Sequence, residues 1–278
     1  MTALTTPGPA PAGPSSRLRR AAADGWTMTR RNMAHLARSP EEIGIYFSLP
    51  ILFVLVFGYV FGSGMTVPDG GGYREFLLPG VFVMTMLYGM GATATAVASD
   101  VRRGVADRFR SMPVARSALL TGRGTADLFR ALLEMVLLLG CGLLVGWQWH
   151  RGAGPALLAV ALVLLLRVAV TWVGIWLGLM VADPDLVGVI VFPLAFPLTA
   201  VSNVFVAPEL MPGWLGTVAE WNPLSSTAAA ARELFGNPGT GGESWIAQHP
   251  LVPAVVWPVL LIAVFAPPAV RRYQRLSR

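Results

Sequence analysis

The sequence contains no lysine; all 21 of its basic residues are arginine. A phosphate-binding GxxxxGK[ST] loop needs lysine, so this chain cannot supply one and holds no nucleotide by that route. The single cysteine, Cys141, lies in an apolar run, which excludes an internal disulfide and a cysteine-ligated zinc site. Histidine is equally sparse. His35, His150 and His249 are far apart, and neither HExxH nor GxSxG occurs, so no metal site is expected and an intramembrane hydrolase has no signature. Charge is scarce as well: 13% of residues are charged against 54% hydrophobic, about half the charge of a soluble domain. Mean hydropathy is +0.60. This is the composition of a membrane protein. The pI near 10.4 raises the question of nucleic acid, but the arginines cluster beside apolar runs, as positive-inside topology requires, so no nucleic-acid partner is expected.

Residues 1–16, MTALTTPGPAPAGPSS, are rich in Pro, Gly, Ser and Thr and read as a disordered tail ahead of one membrane domain, 17–278. They show no charged n-region and apolar h-region of a cleaved signal. Between Leu18 and Ala37 an apolar stripe shares a helix with arginines, which predicts an interfacial helix. Trp26 would sit at headgroup level, with Arg30 and Arg31 among the residues toward lipid phosphates. Ser39, Pro40 and Glu42 then form a helix start. Six apolar runs follow, about 43–61, 76–98, 126–147, 155–181, 184–206 and 251–270, each near the roughly 20 residues that a bilayer requires. Asp183-Pro184 is the expected start of the fifth. With the N-terminus inside, the inner segments hold six, seven and four arginines, and the outer loops only Arg74, Arg151 and Arg232. Both termini are therefore expected in the cytoplasm. The fold class is an all-α polytopic membrane protein of six spans.

Between the second and third runs lies Asp100 to Arg123, a polar stretch with six arginines. Helical spacing places Val101, Val105, Phe109 and Met112 on one face, with Arg102, Arg103 and Arg110 mostly opposite. Pro113 ends the helix. A short amphipathic helix between two spans invites a protein to dock. Outside, residues 207–250 carry two further helical patterns: Trp214, Leu215, Val218 and Trp221 after Pro212-Gly213, then a segment capped by Asn222-Pro223 and closed by Gly236. Both suit a dip into the outer face, and an aromatic-belt anchor is the plainer alternative. Glu134 and Arg167 are the ionisable residues deep in the apolar runs. Their axial offset of roughly 8 Å, from helical rise, predicts an ion pair, with a place in the substrate path as the alternative. Gly58/Gly62, Gly142/Gly146 and Gly174/Gly178 permit close helix packing. Pro193, Pro197, Pro253 and Pro258 permit kinks.

These segments resemble the ABC-2 type permeases, in particular the daunorubicin-resistance type of exporter membrane subunit. The inner match comprises Asp100, Arg103, Gly104, Arg108, Arg110, Pro113, Gly122 and Arg123, after Leu78-Pro79-Gly80. The outer match is PLTAVSNVFVAPELMPGWLGTVAEWNPLSS, from Pro197 to Ser226. The resemblance implies a homodimeric channel in a bacterial plasma membrane that exports a hydrophobic small molecule by alternating access. ATP and Mg would be used by a separate cytoplasmic ATPase subunit, with no cofactor on this chain. A coupling helix would map onto Ser99–Met112, with Asp100, Arg103, Gly104, Val105, Arg108, Phe109, Arg110 and Pro113 facing that subunit. Re-entrant helices would map onto Pro208–Phe235, including Pro208, Met211, Pro212, Trp214, Trp221, Asn222 and Pro223. Export of a polysaccharide or lipid-linked glycan is the alternative within the family. A secondary transporter would show internal repeats and acidic residues at the midplane, where Glu134 stands nearly alone.

Overall fold

The computed structural model describes residues 48, 51–60, 67, 70–104, 116–181, 183–239 and 244–276, and every regular element among them is helical. Of the sequence expectations, the tail, the interfacial helix with Trp26, Arg30 and Arg31, the Ser39-Pro40-Glu42 cap and Gly62 lie outside these residues. So do Val105, Arg108, Phe109, Arg110, Met112 and Pro113. A helical stretch over residues 51–55 runs into a π-helical turn at Val56–Val60, where the first span was expected.

Helix α1, Tyr73–Arg102, is the axis of the molecule. No charged residue interrupts it between Glu75 and Asp100. Its side chains from Phe76 to Met90 are almost all buried, as expected for a helix that is apolar all round. The second span was expected to stop at Ala98, with a new helix from Ser99. Instead Ser99–Arg102 form the last turn of α1. Nothing in that sequence breaks the helix, and the first residue able to turn left-handed is Gly104, at φ +60°. Thirty residues rise about 45 Å, so α1 exceeds the bilayer core.

Helix α2, Arg116–Leu144, and helix α3, Ala153–Val181, follow as an antiparallel pair. Gly146, at φ +93°, closes the end of α2. Helix α3 packs along α1 through two of the glycines marked by their spacing. A Cβ at Gly174 would lie 2.7 Å from the Met90 carbonyl oxygen, and one at Gly178 would collide with the Ala94 carbonyl and Val97. The small residues thus let the two backbones approach.

Helix α4, Pro184–Ala200, opens as expected: Asp183 accepts a hydrogen bond from the Asp185 amide and Pro184 takes the first position. It keeps Pro193 and Pro197 within it but stops six residues short of the expected Val206. The reason lies elsewhere in the chain. The Asn222 side-chain amide donates to the carbonyls of Leu198 and Val201, 2.7 and 2.6 Å away, which a longer helix would use itself. Then come a short 3₁₀ turn, Pro208–Leu210, and helices α5 (Gly213–Glu220), α6 (Pro223–Phe235) and α7 (Trp245–Gln248). Helix α8, Leu251–Leu276, closes the chain along α3, with Pro258 inside it.

Among the described residues, α1, α3 and Leu251–Tyr273 of α8 are long and apolar enough to cross a bilayer. They differ in place. In the most apolar window of α1 72% of residues are buried, against 17% in that of α8, so α1 is central and α8 peripheral. Helix α2 is as long but carries Asp127, Arg130 and Glu134 within its length, and α4 is shorter. The antiparallel order gathers Arg102, Asp183 and Arg272 at one end of the bundle. There the Arg102 guanidinium lies 3.4 Å from Asp183 and 3.5 Å from Asp185, and Arg272 Nε donates to the Leu179 carbonyl. Tyr73, Trp147, Phe205, Asn222 and Arg232 gather at the other.

Candidate functional site

Midway along the bundle, α2 places Asp127, Arg130 and Glu134 at i, i+3 and i+7, one face of one helix. Helix α3 presents Arg167 and Thr171 to it, and α1 presents Thr93. Arg167 Nη2 donates to Asp127 Oδ1 at 2.9 Å, and Nη1 donates to the Met86 carbonyl of α1 at 3.2 Å. The second carboxylate oxygen of Asp127 accepts from Thr171 Oγ1 at 2.5 Å and from Thr93 Oγ1 at 3.1 Å. Arg130 Nε donates to Glu134 Oε1 at 3.1 Å within α2. Two carboxylates and two guanidinium groups thus balance in one region, and the Arg167 side chain is only 1% exposed. Such a pair survives burial only because hydrogen bonds satisfy what the ion pair leaves over. Room for it comes from Gly89, where any Cβ would fall on the Arg167 guanidinium.

The two expected residues, Glu134 and Arg167, are thus brought into one neighbourhood. Asp127 is hydrogen-bonded to Arg167, and Arg130 to Glu134. Sequence reasoning overlooked both because they lie close to the arginine-rich inner stretch, where charge reads as solvated. The i, i+3, i+7 repeat was the signal that could have found them.

At the Arg102 end, Asp100 is half-buried in the last turn of α1, Arg103 is exposed beyond it, and Gly104 ends the helix. Arg102 pairs with Asp183 and Asp185 across the bundle, an exposed contact of small energetic weight.

The opposite end is a folded cap. Asn222 accepts from the Leu224 amide, Pro223 takes the first position and Gly236 closes α6 at φ +76°, as the sequence predicted. Helix α5 leaves Trp214 and Trp221 exposed, at 72% and 60%. Ahead of it, Pro208 starts the 3₁₀ turn, Met211 ends it and Pro212 precedes the first residue of α5. A Cβ at Gly216 would lie 2.7 Å from the Pro208 carbonyl oxygen, so α5 sits directly on that turn. Arg232, counted with the outer-loop arginines, is wholly buried. Its Nε donates to the Phe76 carbonyl at 2.8 Å and its Nη2 to the Asn203 carbonyl at 2.8 Å, while the guanidinium lies 3.8 Å above the Phe76 ring. Burial pulls its pKa down from the ordinary value. Trp147 packs edge-on to Phe82 and Phe235 and donates to Asn237 Oδ1.

Residues 24–235 match the family model described as ABC-2 type transporter. The chain belongs to that family. It is 32% identical over 257 residues to the daunorubicin resistance ABC transporter permease protein DrrB1 of Streptomyces coeruleorubidus, covering 92% of this chain and 88% of that one. It is 26% identical to the probable doxorubicin resistance ABC transporter permease protein DrrC of Mycobacterium tuberculosis, covering 90% and 87%. The putative transport permease ycf38 of Porphyra purpurea is 23% identical, covering 76% and 73%. This chain is therefore the membrane permease subunit of an ABC transporter, whose ATPase is a separate subunit.

Proposed function

We propose that this permease subunit exports a hydrophobic drug or natural product, driven by its ATPase partner. The observation that carries the reading is the near full-length likeness to a daunorubicin resistance permease, 92% of this chain at 32% identity. The arginine distribution supports an orientation with the Arg102 end and both termini in the cytoplasm and the Trp214 end outside. In this reading the chain makes six spans in a bacterial cell membrane, two copies flank the pathway, and α5 and α6 dip into the outer leaflet. Asp100, Arg103 and Gly104 lead from α1 into the segment with Val105, Arg108, Phe109, Arg110 and Pro113, which receives the ATPase. The network of Asp127, Arg130, Glu134, Arg167, Thr93 and Thr171 ties α2, which follows that segment, to α1 and α3. The test is a deletion strain assayed both for susceptibility to daunorubicin and related apolar compounds and for its cell-wall glycans. Raised susceptibility with unchanged glycans is expected. Altered glycans with unchanged susceptibility would assign the chain to glycan export instead.

A further inference from the structure

Helix α1 reaches both ends of the bundle, and at its Tyr73 end something must hold the cap to it. Arg232 is the only side chain of α6 for which hydrogen bonds to two other segments are described. Its Nε binds the Phe76 carbonyl in the first turn of α1, and its Nη2 binds the carbonyl of Asn203 and, at 3.4 Å, that of Val204, just past α4. All three acceptors are backbone oxygens, so the contact reads the position of the main chain and not the rotamer of another side chain. A planar guanidinium with a fixed fork of donors suits this, and its face lies over the Phe76 ring. From the α1 side the fit is equally close. A Cβ at Gly80 would stand 2.8 Å from the Val204 carbonyl oxygen and 3.1 Å from Arg232 Nη2. Two further ties join neighbouring segments: Tyr73 Oη donates to the Phe205 carbonyl beyond α4, and the Asn222 amide donates to Leu198 and Val201 at the end of α4.

We propose that Arg232 is a positioning residue for transport: it fastens the cap formed by α5 and α6 to the first turn of α1, so that movement of α1 at its Arg102 end is delivered to the cap. Breaking a buried, three-acceptor contact leaves the cap folded on its own caps but free to lag behind α1. The complex then hydrolyses ATP without completing export. This inference rests on the reading of the chain as an ATP-driven exporter.

The experiment reconstitutes the permease with its ATPase subunit in inside-out vesicles and measures daunorubicin uptake and ATP hydrolysis together. Arg232→Met and Gly80→Ala are expected to keep hydrolysis near the wild-type value while the uptake per ATP falls about tenfold, the scale of an ordinary inter-site coupling. Arg232→Lys, which keeps the charge but replaces the fork with a single donor nitrogen, should fall between. A variant that merely misfolds lowers both activities and leaves their ratio unchanged. Should Arg232→Met not assemble, Phe76→Leu removes the ring beneath the guanidinium and leaves the carbonyl, and a lowered ratio is again expected. An unchanged ratio in Gly80→Ala and in whichever second variant assembles would overturn the proposal. Wild-type vesicles that show no ATP-dependent uptake would instead overturn the exporter reading on which it rests.

Discussion

At the scale of single residues, the apolar runs made two charges conspicuous and hid two others. Arg167 is the one charged residue of the fourth apolar run, so its need for a partner was plain from the sequence. Asp127 was not, because it follows the arginine-rich stretch by only a few residues, and one dimension does not separate a solvated carboxylate from one turned into a bundle. Glycine gave no warning either: the space at Gly89 has meaning only once Arg167 is seen to fill it. Asp127→Asn and Arg167→Gln should each destabilise the purified protein by about 3 kcal/mol, since either change strands a buried charge or donor. The double variant should recover part of that, giving a coupling energy of about 1–3 kcal/mol in a thermal-unfolding cycle. A cycle on Arg130 and Glu134 should show coupling as well, since Arg130 Nε donates to Glu134 Oε1 within α2. A strictly additive Asp127–Arg167 cycle would contradict the network.

Among the elements, those with local chemistry at their ends were legible. Asp183-Pro184, Asn222-Pro223 and Gly236 mark helix ends by side-chain caps and by a left-handed turn, and the structure puts the ends there. The elements that were misjudged are those bounded from a distance. Helix α4 stops early because Asn222, twenty-one residues beyond Val201, takes its last carbonyls. Helix α1 runs on past Ala98 because nothing ends it before Gly104. Spacing alone marked Gly174 and Gly178 correctly, since a small-residue stripe has one economical use in a bundle. Helix α5 offers a direct check. Trp214 and Trp221 have little protein around them, so if the helix dips into the outer leaflet it is lipid that covers them. Variants retaining only one of these tryptophans should emit at shorter wavelength in vesicles than in the unfolded state and resist quenching by iodide. Full quenching of either would place α5 in water.

For the whole molecule, composition and arginine distribution were enough to expect a polytopic helical membrane protein, and family membership makes it a permease subunit. Seventeen arginines fall on the expected inner side against three outside. A chain with no phosphate-binding loop can only be moved by ATP through a surface shared with another subunit. We propose that this surface is the segment beyond Gly104, where helical spacing in the sequence would set Val105 and Phe109 on one face and arginines beside it to fix register. The most direct test pairs wild-type, Phe109→Ala and Arg108→Glu permeases with the ATPase subunit and measures co-purification together with substrate-stimulated ATP hydrolysis. Loss of an anchor at Phe109 should weaken the partnership by about 1–3 kcal/mol, and Arg108→Glu should add repulsion. Both variants should insert normally, because the remaining inner arginines still set the topology. Reduced partner recovery and reduced stimulated hydrolysis are expected in both; full recovery with full stimulation in both would leave this segment a topology signal only.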